Sequence, residues 1–434
     1  MSDVNPHYLD HVVKLSETSD IEASEDILSG TGMKLLAKGT KIDARARERL
    51  LQFKLAQPLE NMMRVVDGTD PASFHPIAQR MMDKYPLLRG ICATVPGYDA
   101  PATLKSLGLS HNLLSLLSVY GGQASHKLEH AIGVAVLSSA LGGGLGASPA
   151  DTDALVVAGL VHDVGELYID PACFQSDKLT SQQWKHVATH PIVGSHVLAA
   201  MPGAGPRIAS VVMAHHERLD GYGYPQGIDA ARLSIAGQIL AVSELLMGLM
   251  ESDARHAERA AVAMKLVPGE FHRRFIDRVW LGARASGATH GELARLGDLA
   301  QLGARVAGIA GTIVAMRELR ASMADDIATF EPPLRGLILH AFERLERLGI
   351  ALSSTGLDLA ADTDLHGVLG SMNRLELAEV EIVVRELEWR FVELERQLMV
   401  RAEPLSPPDA WWVHDLIEQA KQPMLLASMA AAAA

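Results

Sequence analysis

Cysteine is almost missing from this chain: Cys92 and Cys173 are the only two in 434 residues. A disulfide framework is therefore excluded as an organising device, and a reducing compartment, the cytoplasm, is expected. Cations are also short. The 39 Lys and Arg stand against 52 Asp and Glu, a formal net charge of −13, which argues against binding nucleic-acid polymers or anionic membranes. Long apolar runs are lacking as well. The most apolar stretch, residues 306–316, lies between Arg305 and Arg317 and is too short to span a bilayer, and no leader-like segment opens the sequence. A soluble chain with no membrane span is the expectation. Aromatic residues make up only 5%, which disfavours a strand-rich architecture.

What is present points to helices. The chain is 48% hydrophobic and rich in Ala, Leu and Met, enough for substantial helical cores, and its length suits two or three domains. Residues 27–42 alternate short apolar runs with Gly30, Gly32 and Gly39, the pattern of a small β-hairpin and the only strands expected. Asp43 is placed to cap a helix carrying Leu50, Leu51 and Leu55, which Pro58 closes. Between residues 70 and 120, helices are broken at Pro86, Pro96 and Pro101. A helix from Ser125 carries His126 and His130, and one begun by Ser148 and Pro149 delivers His162 and Asp163. Thr180 and Gln183 read as a reciprocal cap leading toward His190. Residues 206–216 form a helix ending in a histidine pair, and residues 233–250 an apolar helix carrying Glu244.

Beyond about residue 290 the character changes to long helices without site chemistry. Within residues 374–401, Leu377, Val380, Val384, Leu387, Phe391, Leu394 and Leu398 step by threes and fours, the seam of a coiled coil. This predicts a parallel homodimer with Arg390 and Glu395 pairing between chains; the alternative is a stripe that packs in its own bundle. Pro404, Pro407 and Pro408 should end that helix, followed by a short amphipathic piece with Trp411, Trp412 and Leu416 and a frayed run at residues 430–434.

The centre of the sequence is Met213-Ala214-His215-His216-Glu217-Arg218-Leu219-Asp220-Gly221-Tyr222-Gly223-Tyr224-Pro225. Adjacent histidines and a carboxylate make poor core packing but good metal ligands, and the glycines and proline behind them force a turn. Upstream stand His162-Asp163-Val164-Gly165 and His190-Pro191-Ile192-Val193-Gly194, and earlier still His126 and His130 share one helix face.

Together these residues resemble the HD-GYP family, a branch of the HD-type metal-dependent phosphohydrolases. The resemblance covers roughly residues 120–285. It implies a mainly α fold: an HD-type helical bundle with a small N-terminal hairpin module and a C-terminal helical region. The expected domains are 1–62, 63–285 (core 120–285) and 286–434. It also implies two or three divalent metal ions, with iron or manganese favoured and zinc possible, and hydrolysis of cyclic di-GMP or a related nucleotide. On this reading His130 and His162 join Asp163 on one metal, while His190, His215 and His216 supply the second and any third. Glu244 takes the place of a final carboxylate, and His126 stands where three-metal members carry a Glu.

Phosphodiester hydrolysis needs an activated water and a place for charge on the phosphate. Metal ions supply both, lowering the pKa of a bound water to about 7. Asp163 as bridge and Glu166 as substrate-proximal group are the catalytic candidates. Arg218, Arg255 and Tyr224 are candidates for contacting substrate. Glu217, Asp220, Gly221, Gly223 and Pro225 should fix the loop, which in the family also serves as a surface for signalling partners. Two departures stand out. Members commonly carry Lys after His-Asp-x-Gly, where this chain has Glu166, and an Arg-rich motif after the position of Glu244, which this chain lacks. The alternatives are therefore a catalytically weak HD-GYP protein that binds a ligand or partner, or an HD-type phosphohydrolase with another substrate.

Overall fold

The computed structural model describes residues 4–174, 179–252, 256–286, 299–357 and 365–433. The protein is mainly α-helical, and its strands are few and short. It divides into two compact units: Met1–Ala257 with His272–Ala288, and Glu258–Phe271 with Thr289–Ala434.

In the first unit, Asn5 caps the helix Pro6–Leu15 by accepting from the His7 and Tyr8 amides. The expected hairpin is present, Ile27–Leu28 pairing antiparallel with Lys34–Leu36. A second antiparallel pair was not foreseen: Ile21–Ala23 runs against Met63–Val65, with Ile21 opposite Val65. Asp43 caps Ala44–Leu51 as its position suggested. The helices break where the prolines predicted: Pro71–Lys84 ends just before Pro86–Ala93, and Ala100–Lys105 follows after a gap holding Pro96, with Pro86 and Pro101 in first turns that need no amide from either residue. The core around the site is built by Ser125–Gly144, Pro149–Val161, His190–Ala199, Gly205–Met213 and Ile235–Ser252.

The second unit holds Leu299–Ser322, Pro332–Ser353, Arg374–Ala402 and Pro407–Ala433. Here the seam finds its partners inside the chain. Leu377, Val380, Val384, Leu387, Phe391, Leu394 and Leu398 are all buried, as the alternative of a stripe packed in its own bundle requires. Arg390 and Glu395 are likewise spent: Arg390 pairs with Glu270 and Glu386, and Glu395 with Lys421. The tail is one long helix and not a short piece with a frayed end. Pro407 and Pro408 sit in its first turn, where proline is tolerated, and alanine is the strongest helix former. Two helices, Ile235–Ser252 and Leu299–Ser322, are long and apolar enough to cross a membrane by length and composition. The first is mostly buried and carries Glu244 into the site.

Candidate metal centre

Helix ends deliver most of the site. His162 is the C-cap of Pro149–Val161, and Asp163 leads directly into the 3-10 turn Val164–Tyr168. His190 is the first residue of His190–Ala199, and His215 and His216 follow the end of Gly205–Met213. Gly165 lets two of these elements meet: a Cβ there would lie 2.0 Å from the His190 carbonyl oxygen. His130 and Glu244 come from helix interiors.

Asp163 divides its carboxylate between two groups. Its Oδ2 lies 3.1 Å from His162 Nε2 and 4.0 Å from His130 Nε2. Its Oδ1 lies 3.3 Å from His190 Nε2 and 3.4 Å from His215 Nε2. Glu244 Oε2 completes the first group, 2.9 Å from His130 Nε2 and 3.1 Å from His162 Nε2. Two sets of ligand atoms result, each close enough to surround one ion: His130, His162, Asp163 and Glu244, and Asp163, His190, His215 and His216.

The rings are oriented for this. His162, His190 and His215 each turn Nδ1 to a carbonyl three residues earlier: Gly159 at 2.8 Å, Val187 at 2.7 Å and Val212 at 2.5 Å. A carbonyl only accepts, so each Nδ1 is an N–H, and each Nε2 is the inward atom, able to give a lone pair to a cation that displaces any proton there. His162 Nε2 is buried and makes no hydrogen bond among the described residues. Buried lone pairs converging with two carboxylates fit a divalent cation and little else.

Charges in the group polarise one another. Burial opposes ionisation of Asp163, yet the surrounding imidazoles hold its carboxyl well below the usual range, and His130 and His162 do the same for Glu244. Burial alone would lower His162, but Asp163 and Glu244 push it up to about 10. Burial keeps His216 well below an ordinary imidazole, helped by His215 and His190, the neutral form a metal requires.

The other candidates fall in distinct places. His126 is exposed and lies outside both ligand groups, because in the first turn of Ser125–Gly144 its side chain faces solvent. Glu217 fixes the loop, as its carboxylate accepts the amides of Gln226 at 2.7 Å, Gly227 at 3.1 Å and Ile228 at 3.1 Å. Gly223 makes that possible, since a Cβ there would fall 2.3 Å from the Glu217 Cα. Gly221 takes a φ of 78°, open mainly to glycine. Asp220 accepts from the Tyr222 amide at 3.3 Å. Arg218 is only 4% exposed and donates to the Glu217 carbonyl, bracing the loop from within instead of offering its charge to solvent. Tyr224 stacks on the His216 ring at 4.5 Å and meets Trp184 edge-on, and Pro225 lies partly exposed beside it. Arg255 lies outside the described residues.

Two residues at the site escaped sequence reasoning. Lys127, one turn before His130, donates to Glu166 at 2.8 Å with both side chains under one-fifth exposed. Glu166 is therefore ion-paired, and its charge is matched locally. Glu251 meets His130 Nδ1 at 2.9 Å.

Residues 113–274 match the family described as HD domain, a family that binds divalent metals. Among curated proteins, the chain is 24% identical over 257 residues to a 3'3'-cGAMP-specific phosphodiesterase of Vibrio cholerae, covering 55% of this chain and 54% of that protein. A second such enzyme of the same organism is 26% identical over 36% of this chain and 38% of its own length. A cyclic di-GMP phosphodiesterase of Pseudomonas aeruginosa is 33% identical over 20% of this chain and 22% of its own length. The chain thus spans about half, or less, of the length of these relatives. With the HD match over residues 113–274 and these likenesses behind it, this chain carries an HD domain and resembles the HD-GYP phosphodiesterases.

Proposed function

We propose that the chain is a metal-dependent phosphodiesterase that hydrolyses cyclic di-GMP or a related cyclic dinucleotide. One observation carries the reading: Asp163 faces a different ligand group with each of its oxygens, as a carboxylate shared between two ions would. His130, His162, Asp163 and Glu244 would hold one ion, and Asp163, His190, His215 and His216 the other. Two ions are favoured over three, since His126 stands apart. The mixed imidazole and carboxylate set suits iron or manganese, with zinc possible. Bound ions supply Lewis acidity toward the phosphate and a water acidic enough to react near neutral pH.

The chain's own residues do the rest. Asp163, held ionised, keeps the two ion positions together, and Glu244, also held ionised, completes the first of them. Tyr224, stacked on His216, offers an aromatic wall beside the site, suited to a nucleobase. Lys127 offsets Glu166, so the rim does not oppose an anionic substrate as strongly as Glu166 alone would. The buried free thiols of Cys92 and Cys173 suit a cytoplasmic setting. The partly exposed Tyr224 and Pro225 could also meet a signalling partner.

The test is turnover of cyclic di-GMP and of 3'3'-cGAMP by manganese- or iron-loaded protein, with Asp163→Ala as control. Turnover lost in the variant supports the proposal. A fully loaded wild type that cleaves neither would leave the second reading, a ligand- or partner-binding HD-GYP protein, which Glu166 in place of the family's Lys favours.

A further inference from the structure

The rings of the centre differ in what holds their outer nitrogen. His162, His190 and His215 lie at helix ends, where carbonyls are free, and each uses the one three residues back. His130 lies inside Ser125–Gly144, where the helix consumes its own carbonyls. Its Nδ1 instead faces Glu251 Oε2 at 2.9 Å, while its Nε2 faces Glu244 Oε2 at 2.9 Å. Both carboxylates come from Ile235–Ser252. They are seven residues apart, so they project from one face of that helix, two turns apart. One helix therefore grips one imidazole by both ends.

We infer that Glu251 is the positioning residue for His130 and sets the affinity of the His130, His162, Asp163 and Glu244 group for its metal. The inference rests on the reading that this group holds an ion. With Nε2 turned to a cation, Nδ1 keeps the proton and donates it to a carboxylate. Such a bond is stronger than one to a carbonyl, fixes the ring and makes the ligand more basic. The second group, with His190, His215 and His216, has no contact with Glu251 among the described residues, so its affinity should not depend on that side chain.

The experiment is a manganese titration of metal-free full-length chain, followed by electron paramagnetic resonance, for wild type, Glu251→Ala and Glu251→Gln. Wild type should take up two ions. Glu251→Ala should bind one of them about 10–100-fold more weakly and the other unchanged. Glu251→Gln, whose amide oxygen accepts the same bond, should recover most of the loss. The metal-free proteins should melt together. Glu251→Ala binding both ions as wild type does overturns the inference. So does equal weakening at both positions, a lowered melting point without metal, or Glu251→Gln as weak as Glu251→Ala. Wild type binding fewer than two ions would instead bring down the two-metal reading, and this inference with it.

Discussion

His190 and His215 face each other with Nε2 atoms 2.9 Å apart, and each ring gives its only neutral-form proton to a backbone carbonyl. Two lone pairs at that distance repel unless a cation or a proton lies between them. Asp163 holds His190 up against the lowering effect of burial, whereas burial holds His215 down. Without an ion, a proton on His190 would therefore bridge the pair. A divalent cation does the same work with more charge. His215→Ala should remove the stabilising contribution of the ion held by Asp163, His190, His215 and His216 and leave that of the other group. An ion present at 100 times its Kd adds about 2.7 kcal/mol, so chelator should lower the wild-type melting temperature and lower that of His215→Ala by roughly half as much. If chelator shifts neither protein, the site does not bind metal as described.

The second unit carries a prediction of its own. Arg390 is fully buried and donates to Glu270 at 2.8 Å, to Glu386 at 3.1 Å and to the Ala263 carbonyl at 2.8 Å. Arg259 reaches the same Glu386 at 2.6 Å. Removing one partner strands charges that have already lost their water, so Arg390→Met should destabilise this unit by about 3–5 kcal/mol. Hydrogen exchange across residues 374–402 measures it. Unchanged protection there would mean that the carboxylates find other partners.

These contrasts show where sequence reading reaches. The candidate ligands His162, His190, His215 and His216 were legible because each stands at a helix end inside a short, unusual string, and the turn behind His216 announces itself through Gly221, Gly223 and Pro225. Glu217 was legible too, since a carboxylate in front of such a turn can collect its amides. Lys127 and Glu251 were not, being ordinary helical charges whose meaning comes from a partner 39 or 121 residues away. The strand pair Ile21–Ala23 with Met63–Val65 left no local signal either, as three-residue strands carry too little alternation. The seam in Arg374–Ala402 was read correctly as an apolar stripe, but periodicity cannot say whether the covering helix belongs to the same chain.

Glu60 sets a pH dependence. The Tyr168 hydroxyl donates to it, and the Tyr8 ring stacks on Tyr168 at 4.9 Å, beneath the turn that follows Asp163. Burial pushes the Glu60 carboxyl above its ordinary value, and the Tyr168 hydrogen bond offsets this only in part. The folded state thus holds this proton more tightly than the unfolded one. Its stabilising contribution is complete below the ordinary carboxyl pKa of about 4.3 and is lost as pH rises through the shifted value. Glu60→Gln, always neutral, should gain on wild type in melting temperature as pH goes from 4 to 8. A constant difference across that range would show that Glu60 is not protonated in the fold.

Lys127 and Glu166 together decide how the rim of the centre treats an anion. Their ion pair is under one-fifth exposed, so its charges are poorly screened. Glu166→Gln should leave Lys127 uncompensated and help an anionic substrate bind. Lys127→Met should leave Glu166 uncompensated and oppose it. At about 1–2 kcal/mol for one charge in such a place, kcat/KM should rise about five- to thirtyfold in the first variant and fall by a similar factor in the second. The double variant, neutral like the native pair, should return near wild type, and bound metal should stay constant throughout. Added salt should shrink both single effects. Single variants that shift kcat/KM in the same direction would mean that the pair acts through local packing, and the electrostatic account of Glu166 would have to be given up.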